Sequence, residues 1–128
     1  MTREELDSKV SALLNEKADY QTKIEKINSE VSALQTKYVA EYPHLIKKGS
    51  KVRIKSLLRG IDGKTHEKEV IVFVGDTHFY QKYNYLESQI YPDKDIITML
   101  HQVKKDGTQS SRTIRVYGNI VEIEILEQ

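Results

Sequence analysis

Four histidines, a close pair of aspartates and eight tyrosines are the side chains of this sequence with the widest chemical reach. Histidine binds metals and moves protons, but a working site needs spacing, such as two imidazoles one helical turn apart. His44, His66, His78 and His101 show no spacing of that kind and no carboxylate pattern typical of zinc, so each is expected as an isolated surface residue. Asp93 and Asp95 flank Lys94 directly after Pro92. Two carboxylates so placed could hold a divalent cation, although an acidic turn explains them more simply. Cysteine is absent, which excludes disulfides, thiolate metal sites and a cysteine nucleophile. No glycine-rich phosphate loop or nucleophile elbow occurs. The chain is expected to be a binding protein and not an enzyme, with no cofactor and no metal.

Two segments carry binding chemistry. From His44 to Arg59 there are six basic residues, Lys47, Lys48, Lys51, Arg53, Lys55 and Arg59, and no acid. Such a run either grips an acidic partner or simply guards a strand edge against aggregation. Residues 77–91 hold four tyrosines, Tyr80, Tyr83, Tyr85 and Tyr91, beside Lys82. Aromatics next to cations anchor interfaces or stack on bases, and equally fill a core that lacks tryptophan.

The element that must carry these segments begins with a helix. No glycine or proline precedes Pro43, and apolar residues recur at a and d positions over five heptads. They are Leu6, Val10, Leu13, Tyr20, Ile24, Ile27, Val31, Leu34 and Tyr38, with Lys17 as the one exception. Ser8–Leu13 and Ser29–Leu34 repeat one phrase 21 residues apart, which is three whole heptads, so the register belongs to a single helix over residues 2–41. Thr2 with Glu5 is a capping box, and Pro43 ends the helix. The stripe is too long to be covered by a small β domain, so it is expected to meet another helix, in a second copy or on a larger assembly. The g positions alternate in charge as Lys9, Glu16, Lys23, Glu30 and Lys37.

The remainder reads as β structure. Lys51–Leu58 alternates with a period of two, placing Lys51, Arg53 and Lys55 together on a solvent face. With Asp62-Gly63 as a two-residue turn, Val52 is expected opposite Phe73 and Ile54 opposite Ile71. Glu69–Val74 is apolar on both faces and reads as a central strand. Pro92–Asp95 breaks the chain before a strand at Ile96–Val103, and residues 104–111 read as a polar loop. Gly118-Asn119 is expected to turn a final hairpin that pairs Val116 with Val121, Ile114 with Ile123 and Arg115 with Glu122. The expected fold is α+β: a coiled-coil helix over 1–42, then a small, strongly bent antiparallel β-sheet or partial barrel over 43–128.

Net charge is +1, with six basic and eight acidic side chains in residues 1–42 and fourteen basic and eleven acidic in the rest. Neither part has the excess of a phosphate-gripping protein, so at most weak direct nucleic-acid binding is expected. The N-terminus carries no apolar leader and no apolar run suits a membrane, which points to a cytoplasmic setting with no membrane contact.

The second half resembles the C-terminal domain of Gre-type transcription elongation factors. The resemblance rests on Gly49–Ile54 opening the domain, on Val72–Asp76 as a strand and turn, and on Ile120–Leu126 closing it. Size, the Tyr/Lys/Ile-rich wording and the architecture also resemble small RNA-polymerase-binding proteins of T-even-type phages. The resemblance implies docking on bacterial RNA polymerase, in the host cytoplasm if the chain is phage-encoded. Gre factors have two helices with acidic residues at the tip; this chain has one, so transcript cleavage is not implied. Two other functions fit the residues: a homodimeric coiled-coil nucleic-acid-binding module, and a phage inhibitor that sequesters another host protein.

Overall fold

The computed structural model describes residues 1–128. The chain forms one helix, α1 (Arg3–Ala40), and six strands: β1 (Lys51–Arg59), β2 (Thr65–Phe79), β3 (Glu87–Ser88), β4 (Ile96–Val103), β5 (Gln109–Ile114) and β6 (Asn119–Glu127). They divide into two compact units, Met1–Tyr38 and Val39–Gln128.

α1 runs without interruption for 38 residues, about 57 Å at the usual rise. Thr2 caps it: its Oγ1 accepts a hydrogen bond from the Glu5 amide at 3.2 Å. Glu4 and Glu5 lie in the first turn and Lys37 in the last, matching the helix dipole at both ends.

In the β unit all strand pairs are antiparallel, in the order β3-β4-β2-β1-β6, with β5 also on β4. The sheet is bent but does not close into a barrel. β2 is central, as its two apolar faces require, and runs 15 residues, well past Val74. Its partner against Leu100 is Val74 and against Thr98 is Thr77; the extra residue is a bulge at Gly75–Asp76 that bends the strand. On β4, the β3 and β5 segments succeed one another along the edge away from β2.

One face of the sheet forms the core. Val52, Ile54, Val72, Val74, Ile96 and Leu100 are fully buried there, joined by Ile90 and Tyr91 and by Val39 and Ile46. The Tyr91 hydroxyl accepts the Ile46 amide at 2.8 Å, and the Tyr42 ring meets Tyr91 edge-on. Tyr91 therefore belongs to the core, while Tyr80, Tyr83 and Tyr85 are exposed.

Two expected registers are corrected. The β1–β2 turn is a three-residue loop, Ile61-Asp62-Gly63, closed by the Gly60 amide on the Lys64 carbonyl at 2.8 Å. A two-residue type I′ turn needs positive φ at both positions, and here only Gly63 has it, at 76°. The extra residue shifts the register by one, so Val52 faces Val72 and Ile54 faces Val70, not Phe73 and Ile71. A shift of one exchanges the faces: Val72 enters the core and Ile71 turns outward.

The second correction is larger. β5 and β6 do not form a hairpin; β5 pairs with β4, and β6 crosses to β1. Of residues 104–111, expected as a polar loop, 104–108 form the β4–β5 turn, closed by the Lys104 amide on the Thr108 carbonyl, but residues 109–111 already belong to β5. Ile123 pairs with Ile54 and Ile125 lies opposite Val52. Gly118 is pressed against β1 so closely that a Cβ would sit 2.4 Å from the Leu57 carbonyl oxygen.

That contact separates two glycines of similar φ. At Gly63 a Cβ meets nothing within 4 Å, so Gly63→Ala carries backbone strain alone, about 1 kcal/mol. Gly118→Ala adds a collision with backbone and should cost on the order of 3 kcal/mol. Urea unfolding of the two variants checks the ranking; equal losses would show that β6 is not held against Leu57.

Candidate functional site

The helical unit presents its whole seam to solvent. Leu6, Val10, Leu13, Tyr20, Ile24, Ile27, Val31, Leu34 and Tyr38 are between 41% and 68% exposed, and Leu14 beside them is 57% exposed. These are fractions typical of one face of a bare helix. Each helical turn thus offers apolar surface that its own unit does not cover. A lone helix gains little from propensity in water, so this surface is the element's main source of stabilisation once partnered.

In the β unit the basic segment lies where the alternation placed it, but its charges are engaged. Arg53 holds Glu124 of β6 through a 2.7 Å hydrogen bond, and its Nε lies 2.8 Å from Glu69 of β2. The second approach is an ion contact only, because Nε lacks an aligned hydrogen-bond partner. Lys55 reaches Glu122 at 3.5 Å, and Lys48 reaches Asp76 at 2.7 Å, holding that carboxyl below its ordinary pKa. Lys51 lies over the Phe73 ring at 5.8 Å. Lys47 and Arg59 stand at the two ends of the run, and Arg59 is paired in register with Thr65. The acids that answer this run come from neighbouring strands, so the sequence run itself could not show them.

The exposed tyrosines assemble differently. Arg115 lies 5.4 Å from the Tyr83 ring and 5.2 Å from the Tyr117 ring, and its guanidinium donates to the Tyr83 hydroxyl at 2.8 Å. Arg115 was expected opposite Glu122; once β6 leaves for β1, it is released to the aromatic pair. Tyr80, Tyr83 and Arg115 share a shallow cleft with Lys82, Asn84 and Gln89. Tyr85 and Tyr83 are each 68% exposed. Arg115 and Tyr117 are additions that no spacing in the sequence announces. A groove of about 540 Å³ lies between residues 89–94 and the free edge of β6 at 118–123.

No cluster of three or more His, Asp or Glu side chains is placed to hold a metal ion. Asp93 forms a turn in which its Oδ1 accepts the Asp95 amide at 2.9 Å. No helix is long and apolar enough to cross a membrane.

The histidines are less isolated than their spacing suggested. His66 meets Asp62 at 3.1 Å in the β1–β2 turn, and His78 reaches across β4 to Glu87 at 2.7 Å. Burial pushes the His78 pKa down, but Glu87 and the Phe79 carbonyl outweigh it and leave the imidazole above its ordinary value of 6.5. A raised folded-state pKa means that the pair stabilises fully below that ordinary value. The contribution disappears as pH rises through the raised one. Glu87→Gln should lower the His78 midpoint in an NMR titration, and an unmoved midpoint would exclude the pair as its cause.

Compared with protein-family models, curated proteins and solved structures, the chain matches none of them.

Proposed function

We propose that this chain is a non-enzymatic binding protein that docks on bacterial RNA polymerase and modulates transcription. The observation that carries a binding role is the uncovered seam: nine heptad residues of a 38-residue helix stand exposed in one stripe. An apolar face of that length is a recognition element for another helix. The polymerase itself rests on the Gre-like order of elements, a helical arm followed by a bent antiparallel sheet, and on the segments Gly49–Ile54 and Ile120–Leu126.

In this reading the β unit makes the specific contact through its tyrosine segment. Tyr83, Arg115 and Tyr117 form an exposed aromatic and guanidinium patch, the composition in which binding energy concentrates. The basic strand has a smaller part than its sequence implied. Arg53 and Lys55 already face carboxylates, so reversing all three of Lys51, Arg53 and Lys55 would disturb the sheet as well as any partner. The same pairing argues against a nucleic-acid role, since a phosphate would have to displace Glu69, Glu122 and Glu124 from these cations.

The test is capture of purified bacterial RNA polymerase by the tagged chain, followed by sedimentation. Retention is expected to survive physiological salt and to fall at least about tenfold in Tyr83→Ala/Arg115→Ala, as removal of an interface anchor does. A chain that ignores polymerase but holds a bare oligonucleotide tightly at that salt would replace this reading with the nucleic-acid one.

A further inference from the structure

The seam selects its own partner. We infer that α1 pairs with α1 of a second copy in an antiparallel, two-fold symmetric coiled coil, staggered so that Leu13 of one chain packs against Ile24 of the other.

Charge on the flanks of the stripe carries the argument. With Leu6 at d, the g positions are Lys9, Glu16, Lys23, Glu30 and Lys37, and the e positions are Asp7, Leu14, Gln21, Asn28 and Gln35. In a parallel pair each g residue meets the e residue of the next heptad on its partner. Lys9 would then meet Leu14, Glu16 would meet Gln21 and Lys23 would meet Asn28, so no ion pair forms. The two Lys17 side chains would also be forced together inside the seam. An antiparallel pair sets g against g. With the helices fully overlapped, Lys9 meets Lys37, Glu16 meets Glu30 and Lys23 meets Lys23, which is repulsion at every step.

A slide of one heptad reverses each sign. Lys9 then faces Glu30 of the second copy and Glu16 faces its Lys23, and symmetry repeats both pairs. The same register pairs Leu6 with Val31, Val10 with Ile27 and Leu13 with Ile24, apolar against apolar, while Leu34 falls opposite Arg3 and Tyr38 lies beyond the overlap. Lys17, the one break in the stripe, falls opposite Tyr20 of the second copy. A lysine stem and ammonium suit an aromatic ring better than a second lysine. Within one chain Tyr20 already lies between Glu16, at 3.2 Å, and Lys23, whose ammonium is 5.6 Å from the ring. The two-fold axis passes between residues 18 and 19, so these side chains from both copies gather at the centre. The slide in the opposite sense also pairs unlike charges, but it sets Lys17 against Leu34 instead of an aromatic ring and leaves Leu6 and Val10 beyond Ala40, where the partner helix ends.

The chain has no cysteine, so single substitutions report the register cleanly. Purified Leu13→Cys and Ile24→Cys chains, mixed and mildly oxidised, should form a disulfide-linked dimer. Each variant alone should not, because its two copies of the position stand about 16 Å apart along the axis. A second pair of variants tests the charges without touching the seam. Lys9→Glu should weaken self-association by about tenfold at low salt, and adding Glu30→Lys should restore it. Self-linking of Ile24→Cys alone would establish a parallel pair and overturn the inference. So would an unaltered chain that sediments as a monomer, or indifference to both charge changes. None of these measurements involves polymerase, so loss of polymerase capture and loss of the dimer are separate results.

Discussion

The pairing of β1 with a strand on each side is the interaction on which the β unit depends. Val52 and Ile54 are fully buried in the core, with Val72 and Val70 of β2 opposite them on one side and Ile125 and Ile123 of β6 on the other. Burying an aliphatic side chain is worth about 1.5–3 kcal/mol. A partly exposed ion pair is worth up to about 1 kcal/mol. The apolar contacts thus set which strands meet, and Arg53 with Glu124 and Lys55 with Glu122 then refine the alignment.

This arrangement decides where binding chemistry remains. Carboxylates on β2 and β6 answer the cations of β1, so a segment with no acid in its own sequence becomes nearly balanced in space. Sending β6 to β1 also frees Arg115 from Glu122 and leaves it between Tyr83 and Tyr117. The polar work of the fold therefore lies on β1, and the aromatic surface available to a partner lies on the loop before β3 and the segment after β5.

The helical unit has the opposite economy. Its residues bury almost nothing within the chain, and helices of this kind draw stability from tertiary or quaternary packing more than from propensity. Its folding free energy is linked to whatever covers the seam, because a partner that binds only the folded helix stabilises it by mass action. The alternating charges at g make that linkage selective, since they tolerate some alignments and repel others.

How far the residues could be read differs between the units, and for physical reasons. A helix is a local structure: its hydrogen bonds close within four residues, so the 3.5-residue stripe, the Thr2 cap and the stop before Pro43 locate α1 to within a residue at either end. The alternation of β1, the central placement of β2 and the bounds of β4 were legible for the same reason, since a strand's two faces are written in its own residues. Pairing is not local. Ile123 and Glu122 suit a strand of alternating apolar and basic residues, and both 113–116 and 52–55 offer one. Only the three-dimensional competition for the open side of β1, together with the close approach of Gly118 to Leu57, chose between them. Register failed at Asp62-Gly63 through a single φ angle: Asp62 is not left-handed, so a type I′ turn does not form and a three-residue loop takes its place. The exposed patch of Tyr83, Arg115 and Tyr117 joins Tyr83 to a residue 32 positions away, and tertiary structure alone brings such positions together.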